Sequence, residues 1–468
     1  MLRHATIGLV VFVMVTFGFV AAVSGTVAVG AVSGAVVSTD LQSVYFAASP
    51  AQLPTNGNCG SGLSLLHCFS PQDIQSAYNY GPAYNAVGGY ANAGEGQTIV
   101  IFDAFGDPAV RADLKVFDHE FGLPAAHLNI ICPAGCPKLD ETGDTPLSDD
   151  EIGWGQEISL DTQYSHAMAP AATIDLVISW NDSNNDIAFA EQYALNHHLG
   201  NIWSQSFGSP ECTFAPGPGQ PWFAENNRIY QKAAAEGITI YASAGDDGAQ
   251  FGCANPSSSY PADNPYNIAV TGSYLNLTFA AGATVGKYSY ETTWDDFENP
   301  LLISEGQAFG VTGGAPSHYF AKPWWQDDHA IVPYSCTGST EASCTTSPST
   351  WHIGKVDADV SYDAGVNGGV FGYMSFSPAI PTGFYIFGGT SAGSPQWAAI
   401  TAILDQLNGG ALGNIAPLLY QLGGTGAFHD IHEGSNALYP GVGYASEWGW
   451  DAASGMGTPN VGGLIHYV

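Results

Sequence analysis

Short apolar runs alternate along the middle of the chain with segments whose apolar residues return every three or four positions. Thr98–Asp103, Leu128–Ile131, Thr173–Ser179, Asn201–Phe207 and Ile238–Ser243 read as buried strands. Between them, Pro108–Phe121, Asp150–His166, Asp186–His198 and Trp222–Glu236 read as helices, and Phe69–Tyr78 reads as a capped helix ahead of the first strand. Repeated β-α-β units predict a parallel sheet with helices on both faces, and sites in such sheets gather at the carboxyl ends of the strands. Residues 274–380 lack this rhythm and read as hairpins and long loops. The rhythm resumes near the C-terminus. An apolar run over Phe384–Phe387 is followed by Gly388-Gly389, and then Ile400, Ile403, Leu404 and Leu407 repeat at helical spacing until Asn408-Gly409-Gly410. Ser391 therefore sits at a strand-to-helix turn, beside free N–H groups and the positive end of a helix dipole.

The ends of the pattern set the domain plan. Residues 1–37 begin with a short basic stretch and run apolar from Ala5 to Val23, as a signal peptide does, with Ala22-Val23-Ser24 as a cleavage site. The run is also long enough for an uncleaved N-terminal membrane anchor. Either puts the chain outside the cytoplasm, secreted or held on the outer face of the membrane. Residues 38–67 are rich in Ser, Gly, Asn and Pro and read as a linker, leaving 68–468 as one domain.

Charge narrows the surroundings. The 468 residues carry 9 basic against 42 acidic side chains, a formal net charge of −33. That excludes a general nucleic-acid binder, which needs basic patches. With only 11% charged residues, the chain suits acid, where most carboxylates are protonated at about pH 3–4. A halophilic surface is the alternative. Eight cysteines in an exported chain imply disulfides. Pairing of sequence neighbours gives Cys59–Cys68, Cys132–Cys136 and Cys336–Cys344, leaving Cys212–Cys253. No histidines stand at zinc-ligand spacing beside them.

Ser391 has two readings: an ordinary helix cap, or a nucleophile. A nucleophile needs a base, and no histidine is suitably placed. Glu157 and Asp161 offer one instead, at i and i+4 on one helix face. Two close carboxylates have their pKa values pushed apart, which suits proton relay. Gly245-Asp246-Asp247-Gly248 follows the strand Ile238–Ser243 and reads either as a plain turn or as the seat of a protonated carboxyl that donates to an oxyanion.

Together these stretches resemble a known family. Gly389-Thr390-Ser391 with Pro395 resembles the nucleophile motif of subtilisin-like peptidases. Glu157 and Asp161, with an aspartate in Ser243-Ala244-Gly245-Asp246 where subtilisins have an asparagine, resemble the sedolisins, the serine-carboxyl peptidases. The likeness runs from about Phe69 to the C-terminus. It implies a subtilisin-like three-layer αβα fold and an acid-acting endopeptidase working through an acyl-enzyme. Ser391 would be the nucleophile, Glu157 its base and acid, Asp161 the support of Glu157, and Asp246 the oxyanion donor. Ser206 and Gly208 would pair with the substrate backbone. Near the C-terminus, Asp430, Ile431, Glu447, Gly449 and Asp451 resemble the family's loop for one structural calcium ion, although Glu447 stands where glycine is common.

The implied partner is a peptide or protein substrate; the large activation domain usual in the family has no counterpart ahead of residue 68, so the expectation is that such an activation or inhibitor domain is either absent or supplied by another chain. No nucleic acid partner is implied, a membrane partner only through an uncleaved N-terminal segment, and the expected state is a monomer. The rival expectation is an idle surface protein that keeps the fold to bind peptides.

Overall fold

The computed structural model describes residues 36–39, 41–47, 49, 53–54, 57–59, 66–139, 147–213, 221–297, 310–326, 331, 333–337, 343–346, 354–438 and 441–468. The expected leader up to residue 35 lies outside them. Among the described residues no helix is long and apolar enough to cross a membrane.

The expected sheet is present. Strands β3 (Thr98–Ala104), β4 (His127–Ile131), β5 (Thr173–Ser179), β6 (Ile202–Gln205), β7 (Thr239–Ser243) and β8 (Ile268–Thr278) lie in the order β8-β7-β6-β3-β5-β4, all parallel. Strand β9 (Lys287–Thr293) adds antiparallel to β8, and β10 (Val360–Asp363) also pairs with β8 in parallel. A second sheet holds β1 (Gln42–Ala47), β2 (Cys68–Phe69), β11 (Gly369–Met374) and β12 (Gly383–Gly388) in the order β1-β12-β11-β2. Strand β1 is a departure from expectation, because residues 38–67 read as a linker. It gains its order from β12, far downstream, to which it pairs antiparallel from Gln42↔Gly388 onward.

Period-two alternation in β3 explains the layers. Ile99 and Ile101 join the apolar cluster on one face, with Ile158, Leu160 and Trp397, while Val100 and Phe102 join the other, with Ile187, Ala194 and Ile229. Helices α1 (Val110–Phe121), α2 (Asp149–Met168) and α5 (Gly393–Asn408) pack on the first face, and α3 (Asn184–His197) and α4 (Pro221–Ala235) on the second. The result is the three-layer αβα arrangement. Helix α2 starts at a capping box, Ser148 with Glu151, and its residues from Glu157 to Met168 are all buried. The four expected disulfides are all formed.

Buried acids are unusually many, and they give the fold a pH dependence. Burial pushes Asp107 and Asp357 up to about 7, Asp113 and Asp405 up to about 6, and Glu191 up to about 8. A carboxyl whose pKa is higher folded than unfolded stabilises the fold fully below its unfolded value, and that stability is lost as pH rises through its folded value. The expected result is a melting temperature that falls steadily between about pH 5 and 8, measured by calorimetry at constant ionic strength. A melting temperature that rises across that window would contradict it.

Candidate active site

The strand-to-helix turn after β12 presents Ser391. Gly389 has φ 108°, and a Cβ there would come within 2.4 Å of Asp246 Oδ2, so only glycine fits this turn. Thr390–Ala392 form a single 3-10 turn that leads into α5. Ser391 is nearly buried, at 3% exposure, and its hydroxyl donates to the Ser206 carbonyl at 3.5 Å, a long bond that holds it weakly.

Glu157 and Asp161 lie fully buried on the face of α2 that packs toward this turn. Asp161 Oδ1 accepts from Ser206 Oγ at 2.8 Å. Glu157 takes no hydrogen bond of ordinary length, yet the Ser391 hydroxyl and the Asp161 carboxyl stand close enough to shift its titration. Such a contact is often long before substrate binds. Burial raises Glu157 well above the usual range, and the neighbouring charges of Asp161 and Asp103 raise it further. Asp161 is raised by burial too, against the hydrogen bonds from Ser206 and Glu157. Asp103 had no role in the sequence reading. It ends the apolar run of β3, fully buried, with neither carboxyl oxygen hydrogen-bonded, and its charge couples to Asp161. A lone acid closing an apolar strand was the signal available for it. Three buried carboxyls so close titrate as one system, and the proton-accepting form is the cluster after its first ionisation.

Asp246 approaches from the carboxyl end of β7. Its Oδ1 accepts from the Thr390 N–H at 2.8 Å and the Thr390 hydroxyl at 2.7 Å, while Oδ2 is buried without a partner. Burial lifts its pKa to about 7 against those two bonds, so in acid it carries a proton. A protonated carboxyl beside the nucleophile can donate to a developing oxyanion. Adjacent Asp247 makes no such contact with the turn.

The two expected substrate-binding residues divide. Ser206 serves the site itself, through Asp161 and Ser391. Gly208 forms an antiparallel bridge with Ser38. A Cβ on Gly208 would meet Ser259 Oγ at 2.1 Å, which explains the glycine.

The expected calcium residues meet in one loop crossing. Both Asp430 oxygens accept from the Gly449 N–H, at 3.2 and 3.0 Å. Asp451 accepts from the Glu447, Ala453 and Ser454 N–H groups. Two carboxylates with the carbonyls of Ile431, Glu447 and Gly449 would make an oxygen-only donor set, the kind calcium takes. Among the described residues no three or more His, Cys, Asp or Glu side chains converge as a metal site.

Comparison with known proteins finds similar chains. No family model matches the chain. Kumamolisin of Bacillus sp. (strain MN-32) is 29% identical over 400 residues, 84% of this chain and 62% of that protein. Sedolisin of Pseudomonas sp. (strain 101) is 29% identical over 389 residues, 79% and 57% of the respective chains. Tripeptidyl-peptidase 1 of Mus musculus is 28% identical over 442 residues, 89% and 67%. Among solved structures, Pseudomonas sedolisin (serine-carboxyl proteinase) complexed with two molecules of pseudo-iodotyrostatin aligns at a TM-score of 0.65 and 25% identity, covering 86% of this chain and 98% of that one. The chain thus spans about three-fifths of the length of the first relatives it matches.

Proposed function

We propose that this chain, which resembles the sedolisin family in sequence and fold, is a serine-type peptidase that hydrolyses peptide bonds in acidic surroundings outside the cytoplasm. The observation that carries the reading is the convergence of Ser391, the buried Glu157–Asp161 pair and the unpartnered Asp246 Oδ2 at one turn. Ser391 Oγ attacks the peptide carbonyl carbon, and its proton passes to the carboxyl cluster at Glu157. Asp161, fixed by Ser206, supports Glu157. Asp246, protonated, donates to the oxygen of the tetrahedral intermediate. The proton then returns from Glu157 to the leaving amine, and water hydrolyses the ester by the same groups in reverse.

A peptide aldehyde tests this against the rival reading of an idle peptide-binding protein. In acid the aldehyde is expected to add one mass to the wild-type chain, attached at Ser391 and absent from Ser391→Ala. Tight binding with no covalent adduct would favour the idle protein.

Calcium belongs to the same proposal. Asp430 and Asp451 would hold it with the three carbonyls, and the ion would supply structure, not chemistry, because the loop contributes none of the reacting groups. Chelation by EDTA at about pH 6 is expected to lower the melting temperature by several degrees, with recovery on adding calcium but not magnesium, whose geometry is stricter. An unchanged melting temperature would remove calcium from the account.

A further inference from the structure

The apolar layer on the second face of the sheet contains a polar cluster that the catalytic groups do not use. Glu191 is fully buried on α3, the helix that gives Ile187, Ala190 and Ala194 to that layer. Its Oε1 accepts from Gln205 Nε2 at 2.5 Å and from the Tyr230 hydroxyl at 2.7 Å, and its Oε2 accepts from Asn226 Nδ2 at 3.2 Å. Gln205 Nε2 also reaches the Tyr230 hydroxyl at 3.2 Å. Gln205, Asn226 and Tyr230 are buried as well. Polar side chains from β6, α3 and α4 thus close on one another where apolar ones would fill the space at lower cost. A buried carboxyl is a weak source of stability and is better suited to fixing a geometry.

The geometry it fixes is that of Gln205. This is the last residue of β6, in register with Phe102 of β3 on one side and Ala242 of β7 on the other. Successive side chains of a strand point to opposite faces. Trp203 lies in the second-face cluster and Gln205 follows it there, whereas Ser204 bonds Ser394 of α5 and Ser206 bonds Asp161 of α2 on the first face. Ser206 therefore begins where the sheet ladder stops, and the anchor of the residue before it sets its direction. Ser206 Oγ donates to Asp161 Oδ1 at 2.8 Å, and its carbonyl accepts from the Ser391 hydroxyl at 3.5 Å. The Gln205 amide holds a second element too. Its Oε1 accepts from Asn267 Nδ2 at 3.5 Å, and that nitrogen donates to the Pro261 carbonyl at 2.9 Å, beside Tyr260, which pairs with Ser209. Burial raises Glu191 to about 8, against the bonds from Tyr230 and Gln205, so in acid it is neutral. The titratable groups that face it, Tyr230 and Tyr260, are neutral there too. Asn226 Oδ1 is buried without a partner, and a neutral Glu191 Oε2–H would donate to it with the Asn226 amide turned over.

We propose that Glu191 is a positioning residue for peptide hydrolysis, holding Gln205 on the far face of the sheet so that Ser206 meets Asp161 and Ser391 on the near one. This rests on the peptidase reading above. Glu191 touches none of the reacting groups and acts on them through the backbone between Gln205 and Ser206. A glutamine at residue 191 keeps the same shape and, in acid, the same donor and acceptor as the neutral carboxyl. A leucine fills the space and frees Gln205. The effect falls on kcat, because what Glu191 places is the support of the proton relay at Asp161 and Glu157.

The test compares the full wild-type chain with Glu191→Leu and Glu191→Gln on one peptide substrate in acid, with kcat and KM separated and a melting curve taken at neutral pH. Glu191→Leu is expected to lower kcat about tenfold with KM within about twofold of wild type. Its melting temperature should stay level or rise, because a buried carboxyl has gone. Glu191→Gln should keep kcat within about twofold of wild type, since its hydrogen bonds survive. In a Ser206→Ala background, where the bond to Asp161 is already lost, Glu191→Leu should lower kcat by less than about twofold more. A residue that only stabilised the fold would lose melting temperature and activity together, and by as much in either background; that result would overturn the inference. So would a Glu191→Leu variant with kcat within about twofold of wild type, or a Glu191→Gln variant as impaired as Glu191→Leu. Should Glu191→Leu fail to fold, Glu191→Leu with Gln205→Met, which leaves no amide orphaned at residue 205, is read by the same criteria. Failure of both to fold would overturn the inference as well. A wild-type chain that hydrolyses no peptide would instead count against the peptidase reading, and this inference would fall with it.

Discussion

Ser391→Ala is expected to lower kcat/KM by at least about 10⁴-fold while the protein stays folded. The variant removes one oxygen from a side chain at 3% exposure. Its hydrogen bond to the Ser206 carbonyl is long, so the loss in stability should stay within about 1 kcal/mol. The turn itself does not depend on the hydroxyl, since the Thr390 N–H and hydroxyl hold it to Asp246. Kinetics on a peptide substrate and a melting curve taken on the same sample read both quantities. Activity within tenfold of wild type would remove the serine mechanism. An unfolded variant would show that Ser391 is the structural cap that its position also allows.

Glu157→Gln carries the second large effect, a fall in kcat of about 10³-fold, or about 4 kcal/mol of transition-state stabilisation. An amide cannot accept the proton from Ser391. Asp161→Asn should act similarly, because Asp161, held by Ser206, interacts directly with the Glu157 carboxyl. The double variant should be little worse than the poorer single one, as expected of groups that act as a unit. Stability gives an independent sign. Both carboxyls are buried and costly to ionise, so removing one should leave the fold at least as stable at neutral pH. Loss of activity together with retained or raised melting temperature marks a catalytic role. Loss of both would mark a structural one.

Much of this site was legible in the sequence, for a physical reason. A nucleophile at a strand-to-helix turn needs an apolar run, glycines and then a helical repeat, and Phe384–Leu407 writes all three locally. Glu157 and Asp161 share a helix face by spacing alone, and the lightly charged neighbourhood made two acids conspicuous. The acyl side of the cleft was only half legible. Gly208 lies in a backbone bridge with Ser38, and Ser206 turned inward to Asp161, a direction that no local pattern reveals. Asp103 was hidden because a single acid at a strand end looks like the start of a loop; its meaning comes from Asp161, brought near by the fold. Residues 36–47 were the least legible. Their partners, Asp182, Gly208 and Gly388, lie on three separate segments, and without them a Ser-rich stretch beside a leader reads as a tether.

The acid stability expected of the fold and the acid action proposed for the site point the same way. The buried carboxyls that raise stability at low pH titrate in the same direction as Asp246, whose proton the proposed oxyanion contact requires. A chain with a formal net charge of −33 repels itself least where those groups are neutral.

The measurement that bears most directly on the serine-carboxyl mechanism is the pH profile of kcat/KM, wild type beside Asp246→Asn. The carboxyl cluster must ionise once to accept a proton, which sets the acid limb, and Asp246 must keep its proton to donate, which sets the alkaline limb. The account predicts a wild-type bell whose alkaline limb falls as Asp246 ionises, near pH 7. It predicts an Asp246→Asn variant that retains part of the activity, with its alkaline limb moved to higher pH, because an amide donates without titrating. A wild-type profile that rises to a plateau above neutrality, or an alkaline limb unmoved in Asp246→Asn, would contradict it.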